Sequence, residues 1–393
     1  MHIAWLGKKS PFCGNVTYGR EVTNHLLNRD YQVSFLHFAQ QEDCDQKWSD
    51  CPEVVLPFLY KSQIYTIPSP KSSHVLMSAL EEFQPDLIHA SLTLSPLDFR
   101  LPDICRELNI PLVATFHPPF DSKLRNLKSS TQYLTYQLYA PWLANYDSVI
   151  VFSEIQKDML VKLGVPDATV KIIPNGVDET KYSPGYSTYK QQLGAEHLFV
   201  YQGRMAPEKN VESLLKAWRL AEMGENCKLL MVGDGPLKSS LELLYNKEQG
   251  VIWLGFIGDE AQRIEILRAA DVFVLPSLVE GLSLSLLEAM ACGLACIATD
   301  AGADGEVLNE GAGIVIDTQG VTGQLRTLLP LFRDQPELVG ILGHKARQRV
   351  LERYTLHNNI SQLESLYQEL CPAGDRHNPI SSLIHPPKLS SKF

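Results

Sequence analysis

Glu280 and Glu288 bracket seven residues in the run Glu280-Gly281-Leu282-Ser283-Leu284-Ser285-Leu286-Leu287-Glu288. The run follows a short apolar segment, Asp271-Val272-Phe273-Val274-Leu275-Pro276-Ser277, which reads as a β-strand. One carboxylate therefore lies in a polar loop at a strand end, and the other in the first turns of a helix. The first N–H groups of a helix have no partner within it, and they attract anions and hydroxyls. Two carboxylates and a row of N–H groups around one cleft can bind a phosphorylated sugar: acids for its hydroxyls, amides for its phosphate.

A second constellation lies upstream in Phe199-Val200-Tyr201-Gln202-Gly203-Arg204-Met205-Ala206-Pro207-Glu208-Lys209-Asn210. A strand ends at Gly203, two cations follow in the loop, and a helix begins near Val211. Arg204 can grip two oxygens at once and Lys209 acts as a point charge, a combination suited to a diphosphate. Alone, the two could be ordinary surface cations; beside the acidic loop of the same sheet they become a site. Leu229-Leu230-Met231-Val232-Gly233-Asp234-Gly235-Pro236 is a third strand-turn-helix junction, whose glycines permit close backbone approach.

The first half offers two spots. The loop Pro11-Phe12-Cys13-Gly14-Asn15-Val16-Thr17-Tyr18-Gly19-Arg20 lacks the spacing of a dinucleotide fingerprint, although Gly14 could let backbone N–H groups reach a phosphate. In Val113-Ala114-Thr115-Phe116-His117-Pro118-Pro119-Phe120-Asp121 a histidine sits at a strand end, held by two prolines. A lone histidine is usually structural, but at a strand's C-terminal end it faces the ligand crevice of a parallel sheet.

These residues need strands and helices in alternation to hold them. Short apolar runs occur at Ile3–Leu6, Val33–Phe38, Leu87–Ala90, Leu112–Phe116 and Ser148–Phe152, separated by helix-like stretches at Tyr18–Asn28, Ser73–Phe83 and Asp103–Leu108. After the turn Ile172–Asp178 and a Pro/Gly/Ser-rich linker, Tyr182–Tyr189, the alternation restarts at Leu198–Gln202, Cys227–Val232, Gly250–Leu254, Val272–Leu275, Cys296–Ala298 and Gly313–Ile316. Helix-like stretches at Val211–Glu222, Leu237–Asn246, Gln262–Ala270 and Leu286–Cys292 lie between. The pattern predicts an α/β chain of two doubly wound domains facing each other across a cleft. The expected divisions are an acceptor-binding domain with linker at 1–180, a nucleotide-sugar domain at 181–353, a helix at 354–371 returning toward the first domain, and a mobile tail at 372–393.

Composition sets limits. The 393 residues suffice for two cores, with 45% hydrophobic and 20% charged residues. A formal net charge of −10 argues against general nucleic-acid binding. No apolar run approaches the ~20 residues that span a bilayer. Met1-His2-Ile3-Ala4-Trp5-Leu6-Gly7-Lys8-Lys9 has its basic residues after the apolar ones, the reverse of a secretory leader, so a first strand of a cytoplasmic protein is expected. Eight scattered cysteines form no Cys-x-x-Cys pair and read as reduced, buried thiols; Cys292 and Cys296 could meet on neighbouring helical turns.

Glu280 and Glu288 resemble the Glu-x7-Glu motif of the family-four retaining glycosyltransferases, which have the GT-B fold. Gly203-Arg204 with Lys209 is similar to that family's diphosphate clamp, Pro174-Asn175-Gly176-Val177-Asp178 to its interdomain turn, and Leu287-Glu288-Ala289-Met290-Ala291-Cys292-Gly293 to its helix. The resemblance extends to about residue 370 and implies a nucleotide-sugar donor and specific roles; no Asp-x-Asp metal site stands in a suitable place, and no metal cofactor is needed if Arg204 and Lys209 meet the diphosphate charge. Arg204 and Lys209 would hold the diphosphate. Glu280, with the backbone from Gly281 and Leu282 through Ser283, Leu284 and Ser285, would contact the sugar. Glu288 would bind the ribose. Gly14 would approach the phosphate from across the cleft, and His117 would lie near the reacting centre. Where the family often has Gly-Gly in the first loop and Phe-Gly or Phe-Ser after the first Glu-Gly, this chain has Cys13-Gly14 and Leu282-Ser283.

The acceptor is read from residues 122–142, which carry Lys123, Arg125 and Lys128, no acid, and aromatic residues ending in Trp142. Basic residues interleaved with Trp, Tyr and Leu suit docking on a lipid surface, and they suit equally a core helix with a solvated end. His2–Asn15 and Thr115–Asp121 further resemble cyanobacterial-type digalactosyldiacylglycerol synthases. That branch implies galactose transfer from UDP-galactose to monogalactosyldiacylglycerol by a protein peripheral on the cytoplasmic face of a membrane. Other readings stay open: a transferase acting on a soluble sugar or polysaccharide precursor, a non-catalytic sugar-nucleotide or lipid-binding module, and a sugar-nucleotide epimerase. Oligomeric state is not legible.

Overall fold

A computed structural model describes residues 1–9, 14–38, 48–62, 65–120 and 127–372, the side chains of 127–131 excepted. The strands, in chain order, are β1 (His2–Lys8), β2 (Gln32–Phe38), β3 (Glu53–Val55), β4 (Phe58–Lys61), β5 (Thr66–Pro68), β6 (Leu87–Ser91), β7 (Leu112–Thr115), β8 (Ser148–Val151) and β9 (Val170–Ile172). They continue with β10 (His197–Gln202), β11 (Cys227–Val232), β12 (Val251–Gly255), β13 (Val272–Leu275), β14 (Ala295–Thr299) and β15 (Ile314–Ile316).

Two parallel sheets result. The first has seven strands in the order β3-β2-β1-β6-β7-β8-β9, and the second six in the order β12-β11-β10-β13-β14-β15. In each sheet the order reverses beside the first strand of the domain, β1 or β10, and at such reversals parallel α/β sheets open their ligand crevice. Helices cover both faces, so the central strands are apolar on both sides: Ile3, Ala4 and Trp5 are all fully buried. β4 and β5 form a separate antiparallel hairpin.

The two domains are joined by two chain crossings that run side by side. Val177 N–H donates to Tyr354 O at 2.9 Å, and Leu356 N–H returns to Val177 O at 2.9 Å. Asn359 Nδ2 adds a bond to Pro174 O at 2.7 Å. Beyond the second crossing, the helix Leu356–Leu370 places Ile360, Leu363 and Tyr367 in one core cluster with Ile3, Trp5 and Val113. The protein thus closes its own C-terminal helix onto the first sheet by apolar burial.

Several element bounds differ from the sequence expectation. The first helix begins at Gly14 rather than Tyr18, because its opening turn is polar and carries no periodic signal. β3 and the hairpin are too short and irregular to show alternation. Residues 321–353 form two helices, Val321–Asp334 and Pro336–Arg353, parted at a proline that starts the second. Cys292 and Cys296 do not share a helix: Gly293, with φ +82°, ends it, and Cys296 lies buried in β14. Most of the expected tail, from residue 373, lies outside the described residues.

Candidate functional site

The wall contributed by the second domain is built from strand ends. β13 leads into the loop holding Glu280, and Ser283 caps the helix Leu284–Ala291 by accepting from Leu286 N–H at 3.4 Å. The helix start carrying Leu284 and Ser285 is thereby fixed beside Glu280. Lys209, in a short turn between β10 and the helix Val211–Leu220, places Nζ 2.5 Å from Glu280 Oε1. Glu280 is buried, so this cation balances a carboxylate that has lost most of its water. Arg204 pairs with Glu208 on the same turn.

Glu288 lies within the helix Leu284–Ala291 itself. Gln202 Nε2 donates to its Oε2 at 2.7 Å. Burial pushes its carboxyl up to about 7, against the pull of nearby Arg263 and the bonds from Tyr182 and Gln202. The glycines after β11 are dictated by close contact: a Cβ on Gly233, at φ +126°, would stand 2.0 Å from Gly203 O. Only glycine lets this turn lie against the Gly203–Met205 backbone, which is further tied by Met205 N–H to Asp234 O at 2.8 Å.

On the opposite wall, β6, β7 and the first helix converge. His117 Nε2 lies 2.8 Å from Ser91 Oγ. Ser91 Oγ in turn donates to Asn15 Oδ1 at 2.9 Å, and Asn15 Nδ2 donates to Leu92 O at 3.3 Å. Because the serine proton is given to Asn15, the His117 bond runs from Nε2–H to Ser91 Oγ, which leaves Nδ1 as an acceptor. Burial, with Lys8 nearby, lowers the His117 pKa to about 3, so the ring is neutral. Its ring makes a T-shaped contact with Tyr18 at 5.1 Å between centroids.

The two walls touch. Phe120 N–H donates to Glu280 O at 3.1 Å, and a Cβ on Gly281 would lie 3.4 Å from His117 O. From the interdomain turn, Asn175 Nδ2 reaches Leu282 O at 3.3 Å. His117 and the Glu280 loop, 163 residues apart in the chain (280 − 117), therefore share one cleft.

Sequence reasoning missed several of these residues. Asn15 and Ser91 orient His117; Gln202 and Arg263 face Glu288; Asp304 braces the acidic loop. Asp304 is fully buried, its Oδ1 accepts from Ser283 N–H at 2.9 Å, and burial beside Glu280 holds its carboxyl well above the usual range. Gly302 makes the approach possible, since a Cβ there would lie 2.3 Å from Glu280 O, and Ala303 N–H donates to Gly281 O at 2.7 Å. The available signal was a further strand ending in a glycine-containing turn of the same sheet, Thr299–Gly305. Gly14 opens the first helix and is exposed, with no heavy atom near the position a Cβ would take. Lys123, Arg125 and the side chain of Lys128 lie outside the described residues, whereas Trp142 is exposed. Among the described residues no group of three or more His, Cys, Asp or Glu side chains is placed to hold a metal ion, and no helix is long and apolar enough to cross a membrane.

Two Rossmann-like domains with parallel sheets facing across a cleft, one presenting cations and carboxylates at a helix start and the other a half-buried histidine, define the GT-B class of glycosyltransferase folds. A family model described as Glycosyltransferase Family 4 matches residues 14–181, and one described as Glycosyl transferases group 1 matches residues 188–349. The chain belongs to this glycosyltransferase family. The N-acetyl-alpha-D-glucosaminyl L-malate synthase of Bacillus anthracis is 30% identical over 213 residues, which cover 52% of this chain and 55% of that protein. The UDP-Gal:alpha-D-GlcNAc-diphosphoundecaprenol alpha-1,3-galactosyltransferase of Escherichia coli is 27% identical over 261 residues, 61% of this chain and 66% of that one. The chain thus aligns with about half to two thirds of the length of these relatives. Among solved structures, Anabaena HepE in complex with UDP superposes with a TM-score of 0.75 at 18% identity, covering 94% of this chain and 100% of that one.

Proposed function

We propose that the protein is a retaining glycosyltransferase that moves a hexose from a nucleotide sugar onto a glycolipid. The finer reading is galactose from UDP-galactose onto monogalactosyldiacylglycerol, at the cytoplasmic face of a membrane. The observation that carries the transferase reading is the Lys209–Glu280 pair at the start of the helix Leu284–Ala291, facing a neutral His117 across the cleft. The E. coli relative, whose name specifies UDP-galactose and a lipid-linked acceptor, supports the finer one.

Breaking the sugar–phosphate bond builds negative charge on the departing diphosphate and positive charge on the sugar. Lys209 and Arg204 meet the first charge; donor binding exchanges their present carboxylate partners for phosphate oxygens. Glu280, released from Lys209, accepts from sugar hydroxyls, while the N–H groups around Ser283 and Leu284 approach the sugar. Glu288 accepts from ribose hydroxyls in its ionised form. His117 Nδ1 accepts from a sugar hydroxyl near the reacting carbon. The acceptor hydroxyl attacks the face that the diphosphate leaves and passes its proton to the departing phosphate oxygen, and closure of the two domains about Val177 and Thr355 excludes water.

The deciding assay incubates the protein with labelled UDP-galactose or UDP-glucose and a total lipid extract. Label in a diglycosyl lipid is the expected result. Label entering only water-soluble product would overturn the glycolipid acceptor, and no donor turnover with any acceptor would overturn the transferase.

A further inference from the structure

Two stretches of this acidic chain contain no acid. Residues 54–80 carry Lys61 and Lys71 without an Asp or Glu, and residues 122–146 carry three cations without one. The fold brings the described parts of both, 54–62 with 65–80 and 127–146, to the same edge of the first domain. The β4–β5 hairpin is tied by Thr66 N–H to Leu94 O at 3.4 Å. The turn it seats on ends in Phe99, whose ring packs at 5.3 Å from Trp142 and at 4.8 Å from Tyr139, both on the helix Leu127–Leu143. The one acid in that turn, Asp98, is buried and accepts from Ser95 N–H and the Tyr139 hydroxyl, so it offers little charge to solvent.

Both elements turn apolar side chains outward. On the helix, Leu134, Leu138 and Trp142 recur every four residues on one face, exposed by 60%, 58% and 42%. On the hairpin, Leu59 is 69% exposed, and Tyr60, Tyr65 and Ile67 are exposed with it. Single exposed leucines are ordinary; seven large apolar side chains on two adjoining elements are not. Leu94, which holds the hairpin, follows three residues after Ser91, the hydrogen-bond partner of His117. The surface therefore adjoins the C-terminal edge of the sheet, where the cleft opens.

We infer that the β4–β5 hairpin and the Leu134–Leu138–Trp142 face together seat in the interfacial layer of an anionic bilayer, holding the cleft mouth against the headgroups. This deepens the glycolipid reading and rests on it. The charge pattern selects this occupant: acid-free, lysine-bearing flanks around Leu, Tyr and Trp match an anionic interface.

The test is co-sedimentation with vesicles of phosphatidylcholine, with and without phosphatidylglycerol, and with no glycolipid present. The variants are Leu59→Ser/Tyr60→Ser/Ile67→Ser and Leu134→Gln/Leu138→Gln, checked for unchanged UDP binding and melting. Wild type partitions onto the anionic vesicles, and each variant lowers that partition about tenfold or more. Equal partition of wild type and both variants overturns the inference. So does a wild-type dimer that the variants dissolve while vesicle binding persists. Transfer to a detergent-dispersed glycolipid needs no bilayer; its absence alongside intact vesicle binding would count against the proposed function and leave the docking surface standing.

Discussion

Lys209 Nζ lies 2.5 Å from Glu280 Oε1, so the proposed diphosphate cation and the proposed sugar-reading carboxylate satisfy each other. Removing Lys209 leaves the buried Glu280 carboxylate without its cation, and removing Glu280 leaves the Lys209 ammonium without its carboxylate. A donor that brings phosphate to Lys209 and hydroxyls to Glu280 satisfies both again. The ion pair therefore holds the two side chains in place before binding.

Lys209→Ala should lower turnover by about two to three orders of magnitude, the usual worth of one group that stabilises a charge developing in the transition state. The melting temperature should shift by only a few degrees. Steady-state kinetics and calorimetry check this; turnover at the wild-type level removes Lys209 from the diphosphate site.

Glu288 has its carboxyl raised to about 7 by burial, and only its ionised form accepts two ribose hydroxyls. UDP affinity should therefore be weak below pH 6, climb through pH 7, and level off above it. Titration calorimetry of UDP across this range checks the curve. Glu288→Gln should bind weakly with a flat profile, and a rise that survives the substitution assigns the titration elsewhere.

Asp304 accepts from Ser283 N–H and so orients the loop that Glu280 ends. Asp304→Asn keeps an acceptor oxygen of the same reach, and Asp304→Ala does not. We expect Asn to retain most of the turnover and Ala to lose about tenfold or more, chiefly in kcat, since a loosened donor loop misplaces the sugar before it loses the nucleotide. Equal activity of the two variants would show that the bond plays no part in positioning.

His89 and His117 are both held near pKa 3 by burial, well below an unfolded histidine at about 6.5. The unfolded chain thus binds more protons than the folded one between these values. Stability from this source is complete above about pH 6.5 and is lost as pH falls toward 3. Denaturant midpoints measured through this range should fall with acidity, and His89→Gln should flatten part of the slope. His89 is chosen because it bonds Thr115 and Tyr367 in the core rather than facing the cleft.

Much of this was legible from residue types alone. The alternation of apolar runs and amphipathic stretches specifies parallel sheets, because a strand buried on both faces must be apolar throughout and a crossover needs a helix. Ile3–Leu6, Cys227–Val232 and Val272–Leu275 carry that signal without long-range information. The Glu280–Glu288 spacing, and Gly203-Arg204 with Lys209, are likewise local: strand, loop and helix start are set within a dozen residues. The pairings across the chain were not legible. That Lys209 neutralises Glu280, that Ser91 and Asn15 fix the His117 tautomer, and that Asp304 reaches Ser283 follow only once the strand order brings distant strand ends side by side. The same holds for the β4–β5 hairpin beside Phe99 and Trp142. A sequence states which groups can carry charge or donate hydrogen bonds. Which of them are desolvated together, and so which partner each must find, is decided by packing.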